Sequence, residues 1–276
     1  MIMRIELAIA ALLLPVMMAA QERVTVRGRI VDEQGEAVEY VQVGVPRLQV
    51  GTVSTVDGRF EIEVPCDTLE FFHVSYQPAV FPVTGAAEDV VVVLHAQELP
   101  PAVFIGGNTK EKYLLKPGMN VLKSMGLITT ELPDGHPTGR ELGSVAIAKK
   151  PFLVKDILLS VRRNQIPGCV ASINIYRIEG KNESFVNVLR KPIYFDVPVS
   201  EARQNYDIQP EETVLLEPGR YFIAFQVVGC DGTAGPGISM DFDIFFKSSF
   251  LREVALGDIQ PLPVNIGVAV KGLEYQ

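Results

Sequence analysis

The chain has 276 residues, of which 47% are hydrophobic and 21% charged, and it contains three cysteines and no tryptophan. This hydrophobic content excludes general disorder and predicts one large or two ordinary domains with packed cores. The formal net charge is −8, and the lysines and arginines are scattered along the chain. Nucleic-acid binding is therefore excluded as a function class, because it requires clustered basic residues.

The first 20 residues have the pattern of a secretory signal peptide. Arg4 precedes an apolar run at 7–18, and small residues lead to a predicted cleavage after Ala20. This run is shorter than the roughly 20 residues that span a bilayer, and no later segment is long and apolar enough to cross one. We therefore expect an exported mature chain without a transmembrane segment, in the periplasm or associated with the outer membrane. An uncleaved anchor is the alternative, because Glu6 offsets the charge of Arg4.

Residues 22–96 show the alternation of a small β-sandwich of about seven strands. In RVTVRGRIV, Val26 and Ile30 face one side of a strand while polar residues face the other. The pair Asp57-Gly58 predicts a tight hairpin turn, because glycine adopts a positive φ freely and aspartate tolerates it. The run EDVVVVLHA is apolar at consecutive positions, which is typical of a strand that is buried on both faces.

The same region resembles a known family. The stretch VRGRIVDEQGEAVEYVQVGVPRLQVGTVSTVDGRFEIEVP, followed by LEFFHVSY, is similar to the carboxypeptidase-regulatory-like domain, a transthyretin-like β-sandwich common in exported proteins of Bacteroidetes-type bacteria. The matching positions are Gly28, Gly35, Gly51, Ser54, Asp57, Gly58, Phe60 and Tyr76. The resemblance implies a non-catalytic accessory module and supplies no catalytic residue.

The alternation stops between 97 and 139, where Pro-Pro, Gly-Gly and Pro-Asp-Gly sequences predict a linker. It resumes in 140–276, which predicts a second antiparallel β-sandwich of jelly-roll type and an all-β fold class for the whole chain. In PFLVKDILLSVRRN, we expect Leu153 and Ile157 to share one buried face with the apolar residues that follow. This half is similar to the β-sandwich that follows a regulatory-like domain in other exported Bacteroidetes proteins, a resemblance that implies no activity. We expect few contacts between 22–96 and 140–276.

The residues that could carry chemistry form no motif. His73, His95 and His136 are far apart and lack the spacing of a metal site. Asp241 and Asp243 share a predicted strand face, and paired carboxylates can cleave glycosides. Alternation along an exposed strand explains these two aspartates equally well. We therefore expect no catalytic residue, no metal ion and no cofactor.

Carbohydrate binding is the main alternative for the second sandwich. Sugar-binding proteins stack rings on aromatic side chains, and Tyr176, Tyr194, Tyr206 and Tyr221 are available there. The first three are the candidate ligand-binding residues. Tyrosines on strands are more often half-buried packing residues with a solvated hydroxyl. A row of two or three coplanar, exposed tyrosines would favour glycan binding.

The three cysteines leave two alternatives open. An exported chain folds in an oxidising compartment, and Cys169 and Cys230 lie at the ends of two predicted strands that could bring their sulfur atoms together. Such a bridge closes a loop of about 60 residues and stabilises by about 4 kcal/mol on the chain-entropy model. The alternative is that these two residues and Cys66 are all small buried hydrophobic residues.

These observations favour an exported, non-catalytic protein that acts through protein interaction in the cell envelope. The alternative is a glycan-binding accessory module of a polysaccharide-uptake system, and a hydrolase with a site assembled across the linker is a third hypothesis. A broad apolar patch or an unpaired sheet edge would favour protein interaction. A concave pocket that joins separated carboxylates or histidines would favour a hydrolase.

Overall fold

The structure is a computed structural model that describes residues 23–65, 67–97, 106–117, 138–231, 237–243, 249–262 and 265–276. These residues form an all-β fold of 22 strands arranged in two sandwiches. The predicted signal peptide at 1–20, Cys66 and His136 lie outside the described residues. Within the ranges above, no helix is long and apolar enough to span a bilayer.

The first sandwich contains seven strands in two sheets, as the alternation predicts. Its strands are β1 (Arg23–Val31), β2 (Gln42–Val45), β3 (Val50–Val53), β4 (Arg59–Pro65), β5 (Thr68–Phe72), β6 (Ala79–Pro82) and β7 (Ala87–Val93). One sheet has the order β4-β1-β7, and the other has the order β3-β2-β5-β6. The β1–β7 pair is parallel, and the other pairs are antiparallel.

Strand β1 shows how the alternation builds this core. Val26 and Ile30 are fully buried, whereas Arg27 on the opposite face is exposed. A Cβ at position 28 would lie only 2.3 Å from the backbone oxygen of Val90. Glycine at position 28 therefore allows β7 to approach β1 closely.

The turn at Asp57-Gly58 differs from the predicted hairpin turn in two ways. Strands β3 and β4 belong to different sheets, so the turn forms a corner between the two sheets and does not join paired strands. Of the two residues, only Gly58 has a positive φ, of +75°. The carboxylate of Asp57 instead accepts a hydrogen bond from the Thr55 hydroxyl at 2.5 Å.

Strand β7 also differs from its prediction. In the described part of the chain it pairs only with β1, so it forms an edge of the three-stranded sheet. Val92 is buried, but Val91 and Val93 on the other face are 65% and 44% exposed. The prediction that this apolar run is buried on both faces is wrong, because no second layer among the described residues covers the outer face.

The second sandwich is larger. Its strands are β8 (Thr109–Leu115), β9 (Glu141–Ala148), β10 (Phe152–Asn164), β11 (Val170–Glu179), β12 (Ser184–Asn187), β13 (Ile193–Asp196), β14 (Gln204–Ile208), β15 (Val214–Leu216), β16 (Gly219–Gly229), β17 (Ile238–Met240), β18 (Phe242–Asp243), β19 (Ser249–Arg252), β20 (Ile259–Leu262), β21 (Asn265–Ile266) and β22 (Val268–Tyr275). One sheet has the order β14-β10-β22-β8, with β15 and β17 also paired to β10. The other has the order β12-β11-β16-β9-β19-β20, with β13 also paired to β11, and β18 pairs with β21. These sheets of six and seven strands exceed the eight strands of a jelly roll.

A bulge in β10 changes which residues face the core. The register between β10 and β22 shifts between Val154 and Asp156. Phe152 and Val154 are buried before the bulge and Ile157 is buried after it, whereas Leu153 is partly exposed. The prediction that Leu153 shares a buried face with Ile157 is therefore wrong, because the extra residue of a bulge reverses the alternation.

Strand β8 lies within 97–139, the segment predicted to be a linker. It pairs with β22, and Leu115 at its end is buried in the core of the second sandwich. Its sequence, TKEKYLL, carries three charged residues, which obscure the alternation of a strand. This part of the segment therefore belongs to the second sandwich. Residues 98–105 and 118–137 lie outside the described residues.

The two sandwiches meet at an interface that is formed by a small set of contacts, and the prediction that they share few contacts stays a prediction. Val53 of the first sandwich packs with Val228 and Ala255 of the second. A Cβ at Gly51 would lie 2.0 Å from the backbone oxygen of Ala255. The two backbones can therefore meet only because residue 51 is glycine. The sequence does not reveal this interface, because small and apolar residues at these positions fit the core of a single sandwich equally well.

Two glutamines of the first sandwich bind the loop at 253–258 of the second. The side-chain oxygen of Gln42 accepts a hydrogen bond from the backbone N–H of Leu256 at 3.3 Å. The side-chain oxygen of Gln49 accepts one from the backbone N–H of Asp258 at 2.8 Å. These contacts satisfy backbone donors of the loop and fix its position on the first sandwich.

Candidate functional site

The two histidines that the structure describes, His73 and His95, do not form a site together. His73 is buried at the interface of the two sandwiches, and His95 is exposed, with its ring 2.8 Å from the carboxylate of Glu33. The part of the chain that the structure describes contains no group of three or more His, Cys, Asp or Glu residues that could hold a metal ion.

The two aspartates singled out in the sequence are Asp241 and Asp243. Asp241 is buried, and its carboxylate pairs with the guanidinium of Arg203 at 2.8 Å. The side chain of Asp243 lies outside the described residues. The environment of Asp241 is therefore that of an ion-paired structural carboxylate.

Two of the four tyrosines, the candidate Tyr176 and its neighbour in the sheet Tyr221, are buried. Tyr176 is 3% exposed and stacks on Phe222 with ring centroids 5.8 Å apart. Tyr221 is 1% exposed, and its hydroxyl donates to the backbone oxygen of Glu217 at 2.7 Å. Neither ring is accessible to a sugar.

The remaining candidates, Tyr194 and Tyr206, are half-buried and lie in packing contacts. Tyr194 meets the ring of Tyr40 edge-on across the interface, with centroids 5.1 Å apart. Tyr206 packs against Phe195, with centroids 5.4 Å apart. The four tyrosines do not form a coplanar exposed row, so their geometry does not support glycan binding at these rings.

A buried polar network joins strands β9, β11 and β19 of the second sandwich. Glu141 is fully buried, and its carboxylate accepts hydrogen bonds from the Tyr176 hydroxyl at 2.7 Å, from the Asn174 amide at 2.5 Å and from the guanidinium of Arg252. Burial opposes the charge of Arg252, but Glu141 and Tyr176 together raise the pKa of this guanidinium above its usual value. Burial, reinforced by the neighbouring Glu141, raises the pKa of the Tyr176 hydroxyl.

This network positions the loop that binds the first sandwich. The Nε of Arg252 donates to the backbone oxygen of Gly257 at 3.0 Å, inside the loop at 253–258. Arg252 is 111 residues from Glu141 in sequence. The only sequence signal for the pair is a carboxylate at the start of the apolar strand ELGSVAIA. Sequence reasoning missed both residues because the signal does not indicate a partner.

A small cavity lies at the interface of the two sandwiches. Its walls include His73, Tyr194, Gln42, Asn174 and Gln226, and its volume is about 20 Å³. One water molecule needs about 10–15 Å³, so this cavity has room for a water molecule and not for a substrate.

His73 is held as a neutral ring in this cavity. The backbone N–H of Ser75 donates to its Nδ1 at 3.2 Å, so Nδ1 is the acceptor and the ring proton is on Nε2. Nε2 then points to the hydroxyl oxygen of Tyr194 at 3.3 Å. Burial lowers the pKa of His73 to about 4. His73 therefore contributes to the packing of the interface, and the cavity beside it has no room for a substrate.

Unlike the buried contacts described above, the edge of β7 exposes backbone groups together with apolar side chains. The backbone N–H of Leu94 donates to the oxygen of Val31 in β1 at 2.8 Å. Backbone groups alternate along a strand, so the N–H and C=O groups of Val91 and Val93 point away from β1, toward the open edge. The same two residues carry the exposed side chains. Among the described residues, an apolar strip and backbone groups that pair with no second strand therefore coincide on β7.

Four other edge strands of the described residues carry features that prevent strand addition. β4 presents Arg59, Glu61 and Glu63, and β8 presents a run of three charged residues. β6 ends at Pro82, and β20 contains Pro261. On β7, Asp89 has a positive φ of 55° and interrupts the pairing at the start of the strand. The remaining part, 90–93, consists of four valines with no charge and no proline.

No protein-family model and no curated protein matches this chain. Among solved structures, a DUF3823 family protein from Parabacteroides merdae is similar over 88% of this chain and 98% of its own, with 9% identity and a TM-score of 0.22. BcpA*(D312A), the major pilin subunit of Bacillus cereus, is similar over 90% of this chain and 69% of its own, with 7% identity and a TM-score of 0.22.

Proposed function

We propose that this chain is an exported, non-catalytic envelope protein that binds an extended segment of another protein along the β7 edge. In this proposal, residues 1–20 direct export, and 22–96 form a module of the carboxypeptidase-regulatory-like type, which carries β7. The observation that carries the proposal is the exposure of the valines of β7. Their sequence has the pattern of a strand covered on both faces, and the described residues leave one of those faces exposed.

The geometry of the edge favours a protein strand over a glycan. Two outward-facing backbone positions, Val91 and Val93, recur at the two-residue period of a β-strand. A strand that adds to β7 satisfies these backbone groups and places its own side chains beside the two valines on the same face of the sheet, which is the β-augmentation mode of recognition. A glycan needs aromatic stacking surfaces, and the four tyrosines of the second sandwich do not form one.

The charge of the chain favours a partner other than a second copy. A formal net charge of −8 causes two copies to repel each other. A partner whose apolar segment is flanked by basic residues meets no such repulsion. Glu88 at the start of β7 is exposed, and its carboxylate is paired with Arg27 at 2.9 Å. The proposed occupant is therefore an apolar, extended segment of a different envelope protein with flanking lysines or arginines.

Affinity capture with the mature protein from envelope extracts tests this function. A double variant with Val91→Glu and Val93→Glu places charges on the edge, and Val186→Glu on β12 is the matched control, because Val186 is also an exposed strand valine. We expect the wild-type chain and the control to recover the same protein, and the double variant to recover at least about tenfold less of it. Circular dichroism checks that all three chains fold.

Three outcomes would contradict the proposal. Recovery of polysaccharide alone would favour the glycan-binding alternative. Equal recovery of the partner by all three chains would show that binding occurs elsewhere. Recovery of only the chain itself, with a concentration-dependent dimer in sedimentation, would show that a second copy occupies the edge.

A further inference from the structure

Cys169 and Cys230 lie just beyond the paired ends of β11 and β16. Val170 of β11 is paired with Gly229 of β16 in an antiparallel ladder that has a bulge next to this pair. Beyond the ladder, the backbone N–H of Asp231 donates to the oxygen of Pro167 at 2.9 Å. The register therefore shifts by one residue, and Cys230 faces the two residues Gly168 and Cys169. The two cysteines therefore lie between fixed contacts on both sides.

The two side chains also point the same way. Cys169 is 3% exposed and belongs to the core of the second sandwich, and Cys230 is half-buried and packs against the same core. Ala171 and Val227, which follow on the same faces of the two strands, are members of this core as well. Both thiols therefore face the space between the two sheets.

The structure shows no bond between the two sulfur atoms, so a bridge requires the facing backbone segments to bring them together. Directly opposite residues of an antiparallel pair have Cα atoms about 4.5–5.5 Å apart. A disulfide requires a Cα separation of about 4.4–6.8 Å. We infer that Cys169 and Cys230 form a cross-strand disulfide in the mature protein.

The bridge forms by thiol–disulfide exchange with an external disulfide, either a small molecule or a protein. The half-buried Cys230 loses its proton and attacks one sulfur of that disulfide, which releases one thiol. The thiolate of Cys169 then attacks the Cys230 sulfur and releases the second thiol. Two cysteine thiols are oxidised to one disulfide, and the external disulfide is reduced to two thiols.

Burial determines when this exchange is fast. Burial, with further contributions from Cys230 and Asp196, raises the pKa of the Cys169 thiol to about 12. Because the thiolate is the reacting form, exchange in the fully folded, reduced chain is slow at neutral pH. The bridge therefore forms fastest during folding, before the core closes over Cys169.

The bridge lies close to the interface of the two sandwiches. A Cβ at Gly229, the neighbour of Cys230, would lie 2.8 Å from the ring of Tyr40 in the first sandwich. The disulfide would thus fix the end of β16 on which Tyr40 packs.

Disulfide mapping of the full chain tests the inference. The reduced, denatured chain is refolded with a mixture of reduced and oxidised glutathione, its remaining thiols are alkylated, and its peptides are analysed by mass spectrometry without reduction. We expect a disulfide-linked peptide pair that contains Cys169 and Cys230, with Cys66 alkylated. Alkylation of Cys169 and Cys230 in the refolded chain, or a bridge from either residue to Cys66, would overturn the inference.

Variants give an independent readout of the same bridge. A Cys66→Ala chain should melt about 10 °C lower after addition of a reductant, because the reductant opens a loop of about 60 residues. A chain with Cys66→Ala, Cys169→Ala and Cys230→Ala should show no response to the reductant. A Cys66→Ala chain whose melting temperature does not change with the reductant would contradict the bridge.

Discussion

His73 couples the interface of the two sandwiches to pH. Its Nδ1 accepts the backbone N–H of Ser75, so protonation of Nδ1 would break this hydrogen bond and place a charge in a buried cavity. Burial lowers the pKa of His73 to about 4 in the folded chain, whereas an unfolded histidine has a pKa of about 6.5. Between these values the unfolded chain binds a proton that the folded chain does not bind, so stability falls as the pH falls.

The first prediction follows from this difference. The free energy of unfolding of the wild-type chain should fall by up to about 3 kcal/mol between pH 7 and pH 4 because of His73 alone. His73→Gln removes this contribution, so its stability should decline less over the same range. Urea unfolding at several pH values measures both curves. His95→Gln, at an exposed histidine, is the control and should decline as the wild-type chain does, and parallel curves for all three chains would contradict the prediction.

The second prediction concerns Glu141, whose removal would leave the buried charge of Arg252 without its partner. Its carboxylate is the acceptor for Arg252, Tyr176 and Asn174, all of them buried. Glu141→Gln should lower the free energy of unfolding by about 3–5 kcal/mol, because it leaves the guanidinium of Arg252 buried without a counter-charge. Chemical denaturation measures this loss.

The control for this second prediction is an exposed ion pair. Glu183 lies 2.8 Å from Arg220, and both side chains are exposed. Glu183→Gln should change stability by less than about 1 kcal/mol. Equal effects of the two substitutions would show that the network around Glu141 does not stabilise the fold.

At the residue scale, the sequence predicts core positions well and polar partners poorly. The alternation in β1 correctly places Val26 and Ile30 in the core, because the two-residue period is a local property of a strand. The pairing of Glu141 with Arg252 depends on which strands become neighbours, and no local pattern contains that information. The tyrosines illustrate the same point, since their exposure depends on the packing of other strands.

At the element scale, strands β7 and β8 show where patterns mislead. The valines of β7 predict burial on both faces, but a neighbouring layer must exist for that burial to occur. The charges of β8 obscure its alternation, yet its pairing with β22 makes it a strand. The two-sandwich fold could be predicted from local periods, whereas the position of each strand in a sheet depends on long-range pairing.

The third prediction tests the place of β8 in the second sandwich. Leu115→Ala should lower the free energy of unfolding by about 2–4 kcal/mol, because Leu115 is 4% exposed and packs in the core of that sandwich. Ile147→Ala is the control, because Ile147 on β9 is 59% exposed, and it should cost less than about 1 kcal/mol. An effect of Leu115→Ala as small as that of the control would place β8 outside the cooperative core.

At the scale of the whole molecule, the interface joins the two sandwiches into one structure. The buried network holds Arg252, Arg252 holds the loop at 253–258, and this loop meets Gln42, Gln49 and Gly51. The cores of the two sandwiches are separate clusters of buried residues, linked by the apolar contacts around Ala255. Local sequence patterns describe each core and leave the interface undetermined, because its contacts join residues about 200 positions apart.

The fourth prediction tests the contact between Gly51 of the first sandwich and Ala255 of the second. Gly51→Ala places a methyl group 2.0 Å from the backbone oxygen of Ala255, so the loop must move away. We expect faster hydrogen exchange at the backbone amides of Leu256 and Asp258, which lose their glutamine acceptors. Gly85→Ala is the control, because a Cβ there meets no atom within 4 Å. Unchanged exchange in Gly51→Ala would show that the interface tolerates the methyl group.

Site-specific photo-crosslinking tests the proposed function most directly. A photoreactive amino acid replaces Val91 on the exposed edge of β7, or Val186 on β12 as the control, in the cells that make this protein. The proposed function predicts that irradiation joins Val91 to one distinct envelope protein and that the crosslinked peptide of that partner is extended and apolar. It predicts no such product from Val186. Absence of a protein crosslink at Val91, or the same crosslink from both positions, would contradict protein binding along the β7 edge.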